Sequence, residues 1–332
     1  MNIIVQKYGG TSVESRDKLQ NICNRVLEYK DKNYKIVIVV SAQGNDTDKL
    51  LNEAYKYSST PSKRELDMLL STGEIKTVSL LTMMLNDHGI KSIGLTGEQA
   101  GIISTSTYGE AKIKQIYEEN ILNHLKTNNV VVVAGFQAID RFGNITTLGR
   151  GGSDLTSVAI ASAINAEKCE IYSDIDGIFT ADPKIIPHAK LLKKISYDEM
   201  LEASSAGAKV MHNRSILVGK KYKLPIKVKN ASTRFRGSII KEKSVNSEKK
   251  DNIERSKVRL ITKRDNTTEI SLVGEMIMSN KKVIHTIYTI SYKENIQIHM
   301  ITFSELAIHI LVDTDKSERF LKLLHSELIE KA

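Results

Sequence analysis

The sequence predicts an α/β protein built on a mainly parallel central sheet, followed by a small α+β unit of ferredoxin-like pattern. Three observations carry that reading. "KIVIVVSA" at 35–42 and "VVVVAGF" at 130–136 are unbroken apolar runs, as expected of strands buried on both faces. Across the first 230 residues such runs alternate with stretches of helical period, the pattern of βαβ units. Past the charge-dense stretch 241–257 the order changes to β-α-β-β-α.

Taken in order, "NIIVQKYG" is the first strand, and Leu19, Ile22, Cys23, Val26 and Leu27 repeat at helical spacing behind it. "KIVIVVSA" follows, then a long helix around Glu65–Leu85, the strand "SIGLT" and a helix near Tyr108–Lys126. After "VVVVAGF" come a glycine-rich turn, a helix from Leu155, the strand "CEIYSD", two shorter helices and the strand "PIKVKN". In the C-terminal part "TEISLVG", "IQIHMIT" and "ELAIHILVD" read as strands. Val283, Ile284, Ile287 and Ile290 mark one helix, and Phe320, Leu321, Leu324 and Leu328 the last. That is one strand short of βαββαβ, and "VRLIT" at 258–262 is placed to supply it. So small a unit is marginal alone, which predicts pairing with a second copy.

Composition narrows the function. The chain has 332 residues, 41% of them hydrophobic and 26% charged, as in ordinary globular proteins. Its apolar runs fall short of a membrane span, and the N-terminus lacks the features of a secretory signal. Cys23 and Cys169 both sit among apolar neighbours, which points to reduced, buried thiols and a cytoplasmic location. The net charge of +9 allows nucleic acid or anionic substrates, but no basic segment is interleaved with aromatics and there is no Trp. A solvated surface is the better account, with no nucleic-acid or membrane partner. The eight histidines show no H-x-x-x-H spacing, and no metal site is read from them.

Four clusters carry chemistry. In "KYGGTS", Lys7, Gly9 and Gly10 end a strand, so that backbone N–H groups and an ammonium can meet a phosphate; a tight strand-to-helix turn is the plain alternative. "LGRGGSD" puts Gly149, Gly151 and Gly152 around Arg150, a bidentate clamp for a carboxylate, and adds the Ser153 hydroxyl. Asp154 either caps the next helix or orients Lys7 across the carboxyl ends of the sheet. "YSDIDGIFTADPK" at 172–184 suits a nucleotide, and Glu74 in "STGE" is placed to receive an ammonium.

Together these clusters resemble the aspartate kinases of the amino-acid kinase superfamily. "VQKYGGTSV", "SAQGNDTDKLL", "STGE", "LTGEQAGI", "GFQAI", "LGRGGSDLT", "YSDIDGIFTADPKIIPHA" and "ISYDEMLEASSAGAKVMHNRS" follow in the family's order over residues 1–240. The resemblance implies a catalytic domain of amino-acid kinase type at 1–240, a linker at 241–257 and an ACT-like domain at 258–332. It also implies ATP-dependent phosphorylation of L-aspartate to 4-phospho-L-aspartate, the first step towards lysine, threonine and methionine. Residue by residue, Lys7 and Asp154 would be catalytic. Thr47, Glu74, Arg150, Gly151, Gly152 and Ser153 would bind aspartate. Lys7, Tyr8, Gly9, Gly10, Ser41, Ser173, Asp174, Phe179, Thr180, Ala181, Asp182, Pro183, Lys184 and Lys209 would bind ATP with its Mg2+. The other readings are a non-catalytic amino-acid-binding subunit and a kinase for another amino-acid carboxylate.

Three departures accompany the resemblance. Asn213 stands where the family has proline, Glu98 where it has an aromatic or small residue, and one ACT-like unit is present where two are usual. That unit has "SNKKVI" at 279–284 in place of the Pro-Gly that opens its first helix. A homodimer through the ACT-like sheet is the implied assembly, and lysine or threonine inhibition does not carry over.

Overall fold

A computed structural model describes residues 2–233, 237–242, 258–264 and 268–331. From residue 243 onward the expected linker lies outside the described residues. In chain order the elements begin β1 (Ile3–Tyr8), α1 (Gly10–Val13), α2 (Arg16–Lys30), β2 (Lys35–Val40), α3 (Asp46–Tyr57), α4 (Lys63–Asp87) and β3 (Ser92–Leu95). Then come β4 (Ile102–Ser104), β5 (Ile113–Ile116), α5 (Glu118–Thr127), β6 (Val130–Ala134), β7 (Gln137–Ile139), β8 (Ile145–Thr147), α6 (Gly152–Ala163) and β9 (Lys168–Ser173). The chain continues through β10 (Lys194–Ile195), α7 (Tyr197–Ser205), α8 (Asn213–Lys221), β11 (Ile226–Asn230) and β12 (Ser238–Ile240). It ends with β13 (Leu260–Arg264), β14 (Glu269–Val273), α9 (Lys281–Lys293), β15 (Ile298–Phe303), β16 (Ala307–Val312) and α10 (Thr314–His325).

The chain divides into two compact units: 1–176 with 217–237, and 177–216 with 238–332. In the first, strands run in the order β11-β9-β1-β2-β6-β3, and every pairing among them is parallel. β1 is central, with Lys7 level with Val39 of β2 and Ile171 of β9. Side chains alternate, so Ile4 and Tyr8 face the core built with Leu19, Ile22, Cys23 and Val26 of α2 and Val78, Leu81 and Leu85 of α4. Lys7 therefore points to the opposite face, where α6 packs on β1, β2 and β9. Under the sheet, the Tyr8 and Tyr172 rings stack at 4.8 Å with Arg25 over Tyr172. The buried Glu170 accepts hydrogen bonds from Tyr29 and Tyr172 at 2.7 and 2.8 Å. Both thiols are buried and free.

Helix α4 is long and apolar enough, by length and composition, to cross a membrane. It packs instead on β3, β6 and β8, and its buried residues include Asp67 and Glu74, as in a core helix. The single helix expected at 108–126 is not one element. Ile113–Ile116 pairs antiparallel with β4, and only Glu118–Thr127 is helical. A second small sheet of the first unit, in the order β5-β4-β7-β8, has strands of three or four residues, too short to leave a period in the sequence.

In the second unit β10 pairs with β12, and Ser196 caps α7 reciprocally with Glu199. The strand "VRLIT" does supply the missing position: β13-β14-β16-β15 is an antiparallel sheet with β13 beside β14. The core joins Ile270, Leu272, Ile308 and Ile310 of this sheet to Ile287, Phe320, Leu321 and Leu324 of the helices, and takes in Ala181 and Ile186 as well. Asn280 opens α9 as N-cap, its side chain accepting from the Lys282 and Val283 N–H groups. Phe320 is fully buried there. Truncation in Phe320→Ala is expected to lower stability by about 3–5 kcal/mol, read as a fall in the denaturation midpoint of the full chain.

Candidate active site

Six stretches of the first unit meet at the carboxyl ends of the parallel strands, where open α/β sheets bind ligands. They are the end of β1, the turn after β2, the first turn of α3, the middle of α4, the turn after β6, and the loop leading into α6. They line a cavity of about 260 Å³ with Lys7, Ser41, Thr47, Glu74, Phe136, Gly149, Arg150, Gly151, Gly152, Ser153 and Asp154. The two expected catalytic residues and all six expected aspartate-binding residues thus share one cavity.

Lys7 Nζ lies 2.6 Å from Asp154 Oδ1, with the two side chains 11% and 15% exposed. This largely desolvated pair fixes the ammonium at the mouth of the sheet. The loop delivering Asp154 depends on Gly151, whose φ of 72° is left-handed backbone that a side chain resists. No side chain caps the first turn of α6, so its N–H groups and the positive end of the helix dipole border the cavity. Gly10 is held by space: a Cβ there would come within 2.9 Å of the Ala42 carbonyl. At Gly9 a Cβ would stand 3.5 Å from Lys7 Nζ, so the chain passes the ammonium with backbone alone, as a phosphate cradle needs.

Glu74 is buried, with Oε1 accepting from the Ala42 N–H at 3.0 Å. Its Oε2 is buried with no hydrogen-bond partner among the described residues. Burial pushes this carboxyl up to about 7, against the opposing pull of the Ala42 N–H. An unsatisfied carboxylate oxygen costs free energy until a donor arrives, and an ammonium is the matching donor.

The expected ATP residues are divided between the units. In the first, Gly9 donates its N–H to the Tyr172 carbonyl at 3.2 Å, Ser173 ends β9 and Asp174 follows it. Tyr8 offers no phenol to the cavity, since its ring is fully buried in the Tyr172 stack. In the second, Asp182, Pro183, Lys184 and Lys209 are exposed and Phe179 half-buried. Thr180 and Ala181 are buried there, Ala181 within the core of that unit.

Comparison with known proteins places this geometry. Residues 2–230 match the model of the amino acid kinase family, and residues 270–328 match that of an ACT domain. An aspartokinase of Geobacillus stearothermophilus is 44% identical over 301 residues, covering 91% of this chain and 72% of that protein. The chain belongs to the aspartokinase family. An aspartokinase of Helicobacter pylori is 34% identical, with 98% of each protein covered over 398 aligned residues. This chain has 332, so that relative carries a stretch without a counterpart here. The crystal structure of E. coli aspartokinase III in complex with aspartate and ADP superposes with a TM-score of 0.83 at 19% identity, covering 98% of this chain and all of that one. It shares the fold. An aspartate kinase structure from Synechocystis, 27% identical, gives 0.66 and covers 98% of this chain and 69% of its own.

Within this aspartokinase framework Asn213 and Glu98, the two departures in the kinase blocks, do not line the cavity. Two other residues that shape it escape sequence reasoning. Phe136 follows β6 with φ of 68°, and lines the cavity from a backbone conformation that aromatic residues rarely adopt. Asp67 is buried on the same helix α4, about two turns before Glu74. Its Oδ2 accepts from the Thr147 N–H at 2.7 Å and the Gly109 N–H at 2.9 Å, and its Oδ1 from the Thr147 hydroxyl at 2.7 Å. It thereby anchors the strand end that leads into the Arg150 turn. Asp67→Asn turns one acceptor into a donor facing donors, and is expected to cost about 1–3 kcal/mol, measured as a lowered thermal midpoint with a raised aspartate KM.

Proposed function

We propose that this chain transfers the γ-phosphoryl group of ATP to the β-carboxylate of L-aspartate, giving 4-phospho-L-aspartate and ADP. The observation that carries this is the lone Oε2 of Glu74, set in a cavity that also holds Arg150 and Lys7. Aspartate has one ammonium and two carboxylates to match these three groups. Glu74 would take the ammonium and Arg150 the α-carboxylate, with Thr47, Gly151, Gly152 and Ser153 closing around the substrate. The β-carboxylate would then lie towards Lys7.

Its reference pKa is about 4, so at neutral pH the nucleophile is already ionised and no general base is required. One carboxylate oxygen attacks the γ-phosphorus, the bond to the β,γ-bridging oxygen breaks, and that oxygen's electron pair leaves with ADP. The chain supplies placement and charge: Lys7 and the Gly10 backbone N–H would neutralise the transferring group, Gly9 would leave room beside Lys7, Ser41 would lie beside it, and Asp154 would hold Lys7 in line. Tyr8 would contribute through its backbone. Ser173, Asp174 and the stretch Phe179–Lys184, with Lys209, are proposed to hold the rest of ATP. Magnesium on the phosphates would add charge neutralisation. Asp154 is paired with Lys7 and Glu74 is assigned to the ammonium of aspartate, so the ion's ligands would come from phosphate and water, as suits this cation.

We keep residues 1–240 as the catalytic region and 258–332 as the ACT-like region, joined by 241–257. A homodimer through the ACT-like sheet is supported by its edge strand β15, on which Met300 and Phe303 are exposed. A cytoplasmic setting is supported by the two free thiols.

The test of the reaction is acyl-phosphate formation, trapped as the hydroxamate, with aspartate, glutamate and acetylglutamate supplied in turn. Turnover is expected with aspartate; its absence there, or a preference for either other substrate, refutes the reading. Lys7→Ala should lower kcat by ~10²–10³ while aspartate binding stays near that of the parent. A pH series probes Glu74. Only its ionised form pairs with an ammonium, so the aspartate KM should rise as pH falls through about 7, by roughly tenfold per unit below it. In Glu74→Gln that KM should be high at every pH and lack the bend.

A further inference from the structure

The geometry points to a second site: we propose that His188, His325 and Glu330 bind a divalent transition-metal ion of the zinc, cobalt and nickel class. All three residues belong to the second unit. His188 lies in the loop after "TADPK", and His325 ends α10. A π-helical turn, Ser326–Glu330, then brings the Glu330 carboxylate back onto the same helix end. Glu330 Oε1 is 2.9 Å from His325 Nδ1 and is also in contact with His188 Nε2. The imidazole rings meet edge to face at 5.9 Å, and one ligand atom from each residue lies within 4.8 Å of the others. Bonds of about 2.0–2.2 Å to one ion would set such atoms roughly 3.3–3.6 Å apart, a spacing that rotamer adjustment reaches.

A further observation concerns the far side of His325. This ring is fully buried, and its Nε2 lies 2.9 Å from Thr180 Oγ1, which also accepts the Lys190 N–H at 3.0 Å. A histidine ligating through one nitrogen characteristically donates the N–H of the other to a fixed acceptor. Thr180 Oγ1 is such an acceptor, already oriented by backbone. Two imidazoles and one carboxylate suit zinc-class ions, whereas magnesium and calcium prefer all-oxygen sets, so this is not a site for the ion carried by ATP. His188 is 66% exposed, which leaves an entry path and room for a water as fourth ligand. His188 lies far along the chain from His325 and Glu330, which is why local histidine spacing does not reveal the cluster.

An ion here would clamp the loop that follows Thr180 to the C-terminal helix, where Ala181 and Ile186 already share a core with Phe320, Leu324 and Leu328. Occupancy should therefore move the KM for ATP more than that for aspartate. This effect rests on assigning Phe179–Lys184 to ATP; the binding itself does not.

The experiment titrates the metal-free full chain, without nucleotide or amino acid, with Zn2+ by calorimetry and with Co2+ by visible absorption. One ion per chain is expected, with the intense absorption of low-coordinate cobalt. His188→Ala removes an exposed ligand and should retain its fold by circular dichroism, yet lose affinity for that ion by about 100-fold; Glu330→Gln should follow. His124→Ala, on α5 of the first unit, should leave the titration unchanged. No binding at micromolar metal, or equal affinity in the parent and His188→Ala, overturns the proposal. Either result leaves the phosphoryl-transfer reading untouched, because no turnover is measured.

Discussion

The ion pair between Lys7 and Asp154 is the constraint on which the candidate site depends. It joins the end of the central strand to the first turn of α6 at 2.6 Å, largely out of water. A pair so placed recovers the cost of desolvation only with good geometry, and a partner lost there leaves an uncompensated charge. The neighbouring sequence serves that geometry. Gly151 turns the chain through left-handed backbone so that α6 can begin where it does, and Gly9 leaves the space beside Lys7 Nζ free of a side chain. Parallel register fixes the rest, because β2 and β9 hold Lys7 level with Val39 and Ile171. The Tyr8–Tyr172 stack and the bonds to Glu170 brace β1 and β9 from the opposite face.

Much of this was legible in the sequence because the cavity is built from contiguous motifs at strand ends. "LGRGGSD" delivers six lining residues at once, and "KYGGTS" and "STGE" one each, Lys7 and Glu74. What stayed hidden acts at a distance. Asp67 looks like one more helix carboxylate until the fold brings Thr147 and Gly109 to it. Phe136 carries no sign of its positive φ. The stretch 108–126 misleads because its first half has the apolar content of a helix face but turns that content into a four-residue strand against β4.

The small C-terminal unit shows the same division between local and distant information. Its strands and helices follow the apolar periods, and "VRLIT" takes the fourth sheet position by antiparallel pairing with β14. That Ala181 and Ile186 would join its core has no local signal, since both lie in a loop with the composition of an ordinary turn. At the start of α9, Asn280 binds the N–H groups of Lys282 and Val283, so the helix end that a Pro-Gly turn would leave open is closed by the chain itself.

The unpaired oxygen of Glu74 bears on which molecules the cavity refuses. With the ammonium placed there as proposed, succinate would fit by size and by both carboxylates, yet would leave a buried anion facing no donor. Discrimination of this kind needs no clash and no gate. It comes from the site's own unmet hydrogen bond, and sites built that way reject the analogue lacking the partner by factors on the order of 10⁴. A lone buried acceptor placed as proposed would thus act as a chemical identity check, favouring the amino acid over the dicarboxylate that lacks a donor at the same carbon.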